Sequence, residues 1–258
     1  MGKKDYFPYW NLFWNMTRVE FKLRDQGTLL GFLWTLLHPA LIFIVLYILF
    51  IKWLGHFIDQ YAAYLIIGLL FWNFFHKATC LGLATFKRRA LLMRNYKFPR
   101  EIMVFSTVAA VFVSTALEIA VLVPLLWLWG VKPNWAWTLL PLWALFLLSI
   151  TMGVSLLLAI LAAQFHDMER IWDVISTALF YLTPVFYPLN ILSDRNKALL
   201  SASPLTMIIN GIRDCLISGL FPDPKICWLL AGLSALCLGA GLFLMRRYEH
   251  RIADMIIS

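Results

Sequence analysis

Apolar positions in this chain neither alternate with polar ones nor keep to one helical stripe; they run together in long blocks. Six windows are free or nearly free of formal charge: 32–51, 61–86 with Lys77 alone, 102–131 with Glu118 alone, 133–166, 174–193 and 226–245. A helix rising 1.5 Å per residue needs about 20 residues to cross roughly 30 Å of hydrocarbon. Every window reaches that length, so the pattern predicts six transmembrane helices. Together they leave no room for a separate soluble domain.

Between the blocks the pattern changes in three places. Within 10–24, Asn11, Asn15, Arg18 and Lys22 recur at helical spacing, and Trp10, Phe13, Trp14, Met16 and Phe21 fill the remaining surface. This predicts an amphipathic helix lying in the membrane interface, with Trp at the headgroups and cations toward lipid phosphate. The stretch 86–101 (FKRRALLMRNYKFPRE) is basic, yet it holds Leu91, Leu92, Met93, Tyr96 and Phe98. A purely solvated loop has no use for those side chains, which points to packing against a cytoplasmic partner protein. Pro99 ends any helix ahead of the third span.

The third change is the long connection after the fifth window. Residues 204–221 are mostly apolar, broken by Asn210-Gly211 and Arg213-Asp214. Such a segment either dips into the membrane as a re-entrant helical hairpin, with its free backbone groups facing protein or water, or lies as an interfacial helix. Just before it, Thr183-Pro184-Val185-Phe186-Tyr187-Pro188 places two prolines where the fifth span should end, so no regular helix continues there.

Composition agrees with lipid as the solvent. Apolar residues make up 62% of the 258 and charged residues 14%, against about 45–50% and 25% in soluble domains. That excludes a disordered chain, a secreted disulfide scaffold and an ordinary cytosolic enzyme. A net charge of +8 would suggest nucleic acid in a soluble protein. In a membrane protein it reports orientation, and no nucleic-acid partner is expected. Lys3, Lys4, Arg18, Lys22 and Arg24, then Lys77, Lys87, Arg88, Arg89, Arg94, Lys97 and Arg100, then Arg170, Arg246, Arg247 and Arg251 all fall on one side of a six-span topology. Only Lys52, Lys132, Arg195, Lys197, Arg213 and Lys225 fall on the other. Both termini are therefore expected in the cytoplasm, without a cleaved leader.

Catalytic signatures are missing. There is no Gly-x-x-x-x-Gly-Lys-Ser/Thr phosphate loop, no His-Glu-x-x-His and no Gly-x-Ser-x-Gly. Cys80, Cys215, Cys227 and Cys237 show no Cys-x-x-Cys spacing and read as small apolar residues, so neither a metal nor a disulfide is expected. His38-Pro39 reads as a kink with a hydrogen-bonding ring. Glu118 stands deep in the third window, where a charged carboxylate costs at least about 2.5 kcal/mol, so it is either protonated or partnered inside the bundle. Lys77 lies about 24 Å down its helix, close enough to the inner face to snorkel. Most aromatic residues suit membrane-interface belts. Phe71, Trp72, Phe75, Phe180 and Tyr181 lie mid-span instead, either packing between helices or offering flat apolar faces to a sugar polymer in transit.

Several segments carry a likeness to a known family. Leu30-Gly31-Phe32-Leu33-Trp34 precedes Pro39, Tyr47 and Phe50 in the first window; Lys97-Phe98-Pro99-Arg100-Glu101 stands ahead of the third; Phe165-His166-Asp167 follows the fourth. Then come the 182–188 proline segment, Ser203-Pro204-Leu205-Thr206, Arg213-Asp214 and a C-terminal run from Arg246 to Asp254. In this order the chain resembles the type-2 ATP-binding-cassette export permeases of the branch that exports polysaccharides, O-antigens and teichoic acids.

That resemblance implies an all-α bacterial inner-membrane protein: a cytoplasmic segment 1–30 with the interfacial helix, a permease domain 31–251 and a tail 252–258. It implies a homodimer with a channel between protomers and two copies of a separate ATPase that binds ATP and Mg, leaving this chain no cofactor and no enzymatic step. ATPase motion would enter through Arg88, Arg89, Leu91, Leu92, Arg94, Tyr96, Phe98, Arg100 and Glu101, and through His166, Asp167 and Glu169; the family usually has Arg where His166 stands. Arg18, Lys22, Arg24, Arg88 and Arg89 would attract the headgroup of a polyprenyl pyrophosphate-linked glycan, each cation near a surface contributing about 1 kcal/mol. Phe71, Trp72, Phe75, Phe180 and Tyr181 would line the channel, and Pro184, Pro188, Pro204, Arg213 and Asp214 the outer gate. The rivals are a related exporter of lipids or drugs, an ion-coupled carrier and a membrane enzyme acting on polyprenyl-linked sugars.

Overall fold

The computed structural model describes residues 7–25, 31–58, 60–96 and 98–257, without the side chains of 7–8, 24–25, 31–36, 38 and 249–257. The described chain is all helical. Its helices are α1 (Phe7–Asp25), α2 (Gly31–Leu54), α3 (Tyr61–Leu83), α4 (Thr85–Arg88), α5 (Ala90–Asn95), α6 (Glu101–Leu128), α7 (Leu140–Gln164), α8 (Met168–Leu182), α9 (Asp194–Ser201), α10 (Pro204–Arg213) and α11 (Pro224–Ile257).

Among the described residues, four stretches are long and apolar enough to cross a membrane: Tyr61–Leu83, Glu101–Leu128, Trp135–Gln164 and Pro224–Tyr248. The first window forms α2 with Pro39 inside it. The window 174–193 differs from its expectation. Its helix, α8, starts earlier and has 15 residues, about 22 Å at 1.5 Å each, and it ends at Leu182. The cause is Pro184, which disfavours helical backbone at Thr183 and supplies no N–H to continue the ladder.

The fold is arranged around α3, which packs against α2, α6, α7, α8 and α10. Its buried side chains include Leu65, Ile67, Leu69 and Phe74. Helices α7 and α11 form the most extensive pair. They approach closely because Gly153 carries no side chain: a Cβ there would lie 2.6 Å from the Cys237 carbonyl. Lipid offers no hydrophobic drive to hold helices together, so such close van der Waals approach is a main source of cohesion. On α6, Thr107, Ser114 and Glu118 are buried, Glu118 toward Lys77 of α3 and Thr107 toward Thr85 of α4, while Val113, Leu117, Val121 and Leu125 form an exposed apolar stripe. Helix α1 lies along α6 and buries Thr17 and Glu20, with Trp10, Trp14, Asn11, Asn15, Arg18 and Lys22 exposed.

Candidate functional site

The basic residues gather at one end of the bundle, where α4 and α5 follow α3. Here Glu20 of α1 is the central group. Its Oε1 lies 3.0 Å from Nη1 of Arg88 and its Oε2 2.5 Å from Nη2 of Arg89. Arg89 also donates from Nη1 to Ser106 Oγ at 3.0 Å and to the Met103 carbonyl at 3.5 Å. Burial pushes the Glu20 carboxyl up, but the two guanidinium groups outweigh it and hold the carboxyl below its ordinary value. Arg89 is thus a tie between α1, α4 and α6, its side chain only 13% exposed. Arg88 remains half exposed while sharing the same carboxylate. Arg18 and Lys22 are exposed cations of the rim that make no ion pair with Glu20; the side chain of Arg24 lies outside the described residues.

The segment after α4 divides its side chains by direction. Met93 is buried and anchors α5, whereas Leu91, Leu92, Arg94 and Tyr96 project outward. Arg100 does not project. It is buried, donates from Nη1 to the carbonyls of Met93 at 3.2 Å and Tyr96 at 3.4 Å, and its guanidinium carbon lies 5.7 Å from the Phe98 ring centre. It closes the end of α5, so its position suits holding the segment rather than meeting a partner. Glu101 lies 3.8 Å from Nε of Arg246 on α11.

The second basic-end segment stands beside the first. Lys87 of α4 reaches Glu169 of α8 at 3.3 Å. Beneath that bridge lies a cleft of about 250 Å³ lined by Phe86, Ala90, Ala162, Phe165, His166 and Glu169. His166 and Asp167 are exposed at its rim. Residues 86–101 and 164–173, remote in sequence, therefore share one surface.

Inside the bundle, Lys77 Nζ lies 3.8 Å from Glu118 Oε1. Glu118 is partnered, and Lys77 faces it rather than only snorkelling to the inner face. The mid-span aromatics form a continuous column: Phe75 meets Trp172, Trp72 meets Phe75 and Phe180, and Phe180 meets Phe186, which meets Phe50, with ring centres 5.3–6.4 Å apart. Within one chain Phe71, Trp72 and Phe75 are buried, Phe180 is half-buried and Tyr181 is exposed. The first three act as helix packing here, and only Phe180 and Tyr181 reach an open surface.

At the opposite end, Arg213 at the close of α10 is 3% exposed. It donates from Nη1 to the Pro184 carbonyl at 2.8 Å, from Nη2 to the Val185 carbonyl at 2.6 Å and from Nε to the Tyr64 carbonyl at 3.1 Å. Tyr61 and Tyr64 of α3 donate their hydroxyls to the carbonyls of Phe186 at 2.9 Å and Tyr187 at 3.0 Å. Pro204 opens α10 in its first turn, and Asp214 begins a π turn, Asp214–Ser218. Pro184 and Pro188 are both buried.

Sequence reasoning missed Glu20, Tyr61, Tyr64 and the joining of Lys77 to Glu118. A lone acid on the apolar side of a basic helix was the available signal for Glu20. Nothing local marked the tyrosines.

The family described as ABC-2 type transporter matches residues 11–217. An O-antigen export system permease protein RfbA of Myxococcus xanthus is 27% identical over 255 residues, covering 98% of each chain. Two Klebsiella pneumoniae proteins with the same description are 26% and 24% identical over 243 residues, 93% of each chain.

Proposed function

The chain belongs to the ABC-2 type transporter family, and from that premise we propose that it is the permease subunit of an ATP-driven exporter of a polyprenyl-linked polysaccharide of O-antigen type. It sits in the bacterial inner membrane as a multi-pass protein. Two copies form the conduit and two copies of a separate ATPase drive it, so ATP and Mg belong to the partner and this chain performs no catalytic step and carries no cofactor. The printed descriptions of the relatives support the cargo class.

The observation that carries the reading is the surface shared by residues 86–101 and 164–173. Leu91, Leu92, Arg94 and Tyr96 project beside a cleft bridged by Lys87 and Glu169. An ATPase seated there would push on both segments together, and on α1 through Glu20. In this reading both termini are cytoplasmic, α1 lies in the inner interface, α2 and a span completed by α8 and the 183–191 segment bring the crossings to six, and residues 204–221, α10 with the turn that follows it, form the re-entrant hairpin at the outer mouth. Arg18 and Lys22 supply the exposed positive charge that draws the anionic pyrophosphate to the inner rim. Phe180 and Tyr181 offer ring faces to the glycan.

Copurification with an ABC ATPase from the same cells tests the proposal, combined with inactivation of that ATPase in cells. Surface glycan should disappear while the permease stays in the membrane. Glycan display that persists without ATP hydrolysis overturns the reading.

A further inference from the structure

Helix α11 contains the least buried of the four long apolar stretches, and two of its faces repeat in the same helical register. One face meets α7. Ser234 donates to the Phe146 carbonyl at 3.5 Å, Cys237 donates to the Ile150 carbonyl at 3.7 Å, and a Cβ on Gly241 would lie 2.9 Å from the Gly153 carbonyl. The opposite stripe, Gly232, Leu236, Gly239 and Phe243, is exposed, Leu236 by 70% and Phe243 by 64%. A glycine inside a helix costs stability relative to alanine. At Gly241 the close approach to α7 offsets that cost. At Gly239 a Cβ would meet no described atom within 4 Å, so packing among the described residues gives no reason for a glycine there.

The space beside Gly239 is a groove of about 670 Å³, lined also by Leu242, Phe243, Arg246 and Arg247. Its floor is apolar and its mouth cationic. Glu101 lies 3.8 Å from Nε of Arg246, one carboxylate against two guanidinium groups, so the mouth keeps a net positive charge. Seven residues separate Arg246 from Gly239, about 10 Å along the helix axis, which is within the roughly 15 Å that one leaflet contributes to the hydrocarbon. The groove therefore matches a molecule with an anionic head and an apolar tail. A second copy is a poorer match. A two-fold axis along the membrane normal would set Arg246 and Arg247 against their own mates, like charge on like charge.

We propose that this groove binds an anionic phospholipid of the leaflet at the basic end, with its phosphate between Arg246 and Arg247 and one acyl chain seated over Gly239 against Leu242 and Phe243. Guanidinium forks suit a phosphate because they present two parallel donors to it. A zwitterionic headgroup would bring its own cation to a mouth that is already positive, so a headgroup of net negative charge is preferred. The inference needs α11 to span the membrane and is independent of what the protein exports.

The test uses the full chain in phosphatidylcholine vesicles that contain a trace of phosphatidylglycerol with a photoactivatable diazirine on one acyl chain. Mass spectrometry of the labelled peptides reads where the lipid sits. Labelling should concentrate on residues 236–247 over the exposed stripe of α6, and excess unlabelled phosphatidylglycerol, but not phosphatidylcholine, should suppress it. Arg246→Gln with Arg247→Gln should lower that labelling about thirtyfold, a factor of about five for each cation near a lipid phosphate. Gly239→Leu keeps both charges and fills the groove; it should lower labelling about tenfold through the apolar contact it displaces, without lowering the unfolding midpoint. It also serves as the deciding variant if the double substitution fails to fold. Equal labelling of α6 and α11, or suppression by phosphatidylcholine as well, would mean ordinary contact with bulk lipid and overturns the site. Wild-type labelling in Gly239→Leu overturns it too, as does cross-linking of α11 to a second copy in place of lipid. Neither glycan nor ATPase enters these measurements, so failure of the export reading shows separately, in the copurification experiment.

Discussion

Glu20 shows how much a single carboxylate carries in this molecule. It neutralises Arg88 and Arg89 together and joins α1 to the loop that leaves α3. Substituting Glu20→Gln removes the charge from both bonds and should lower stability by about 2 kcal/mol, measured by thermal unfolding in detergent. The pH dependence has a defined sign. The carboxyl is held below its ordinary value of 4.5 in the folded chain, so its contribution is full above that value and is lost as pH falls through the lower folded one. Acid titration should therefore release α1, seen as increased exchange in residues 7–25, and Glu20→Gln should abolish that acid step. Reversing the charge of Arg88 and Arg89 together should release α1 as well. A drop in export from that double variant would thus report loss of the tie, whereas Arg18→Glu with Lys22→Glu should reduce export while α1 stays docked.

At the scale of elements, α5 is built with one face inward and one outward. Met93→Ala empties a buried site and should cost about 2–5 kcal/mol. Leu91→Asp combined with Tyr96→Ala removes exposed groups, so stability should change by less than about 0.5 kcal/mol. ATPase capture by the purified permease should nonetheless fall at least about tenfold, in line with the loss of two contact side chains. An unaltered pull-down would remove α5 from the partner surface. Helix α8 is the element that hydropathy described least well. Its apolar window continued through residues that form no helix, because hydropathy records side-chain polarity while helix continuation depends on backbone donors. The prolines at 184 and 188 withdrew those donors, a feature the sequence did display. That Arg213, Tyr61 and Tyr64 would answer the freed carbonyls was not displayed, since Tyr64 and Tyr187 are separated by 123 positions and meet only in the fold.

For the molecule as a whole, outward-facing apolar residues remain on α2 and α8, among them Val45, Ile48, Val174 and Leu182. Lipid or a second copy covers them, and a purified complex with the ATPase should have the mass of two permease chains and two ATPase chains. One permease chain per complex would contradict the proposed conduit. The membrane class, the all-helical character, the basic end and the absence of a phosphate loop were legible from the chain alone. Each is a sum or a short-range pattern: hydropathy over a window, charge bias over a loop, a motif of adjacent residues. The partners of Arg88 and Arg89, the bridge from Lys77 to Glu118, the burial of Arg100 and the inward turn of Phe71, Trp72 and Phe75 came only with the tertiary structure. Those depend on which faces of distant helices meet, and a one-dimensional pattern carries the types of the side chains but not the directions in which packing makes them point.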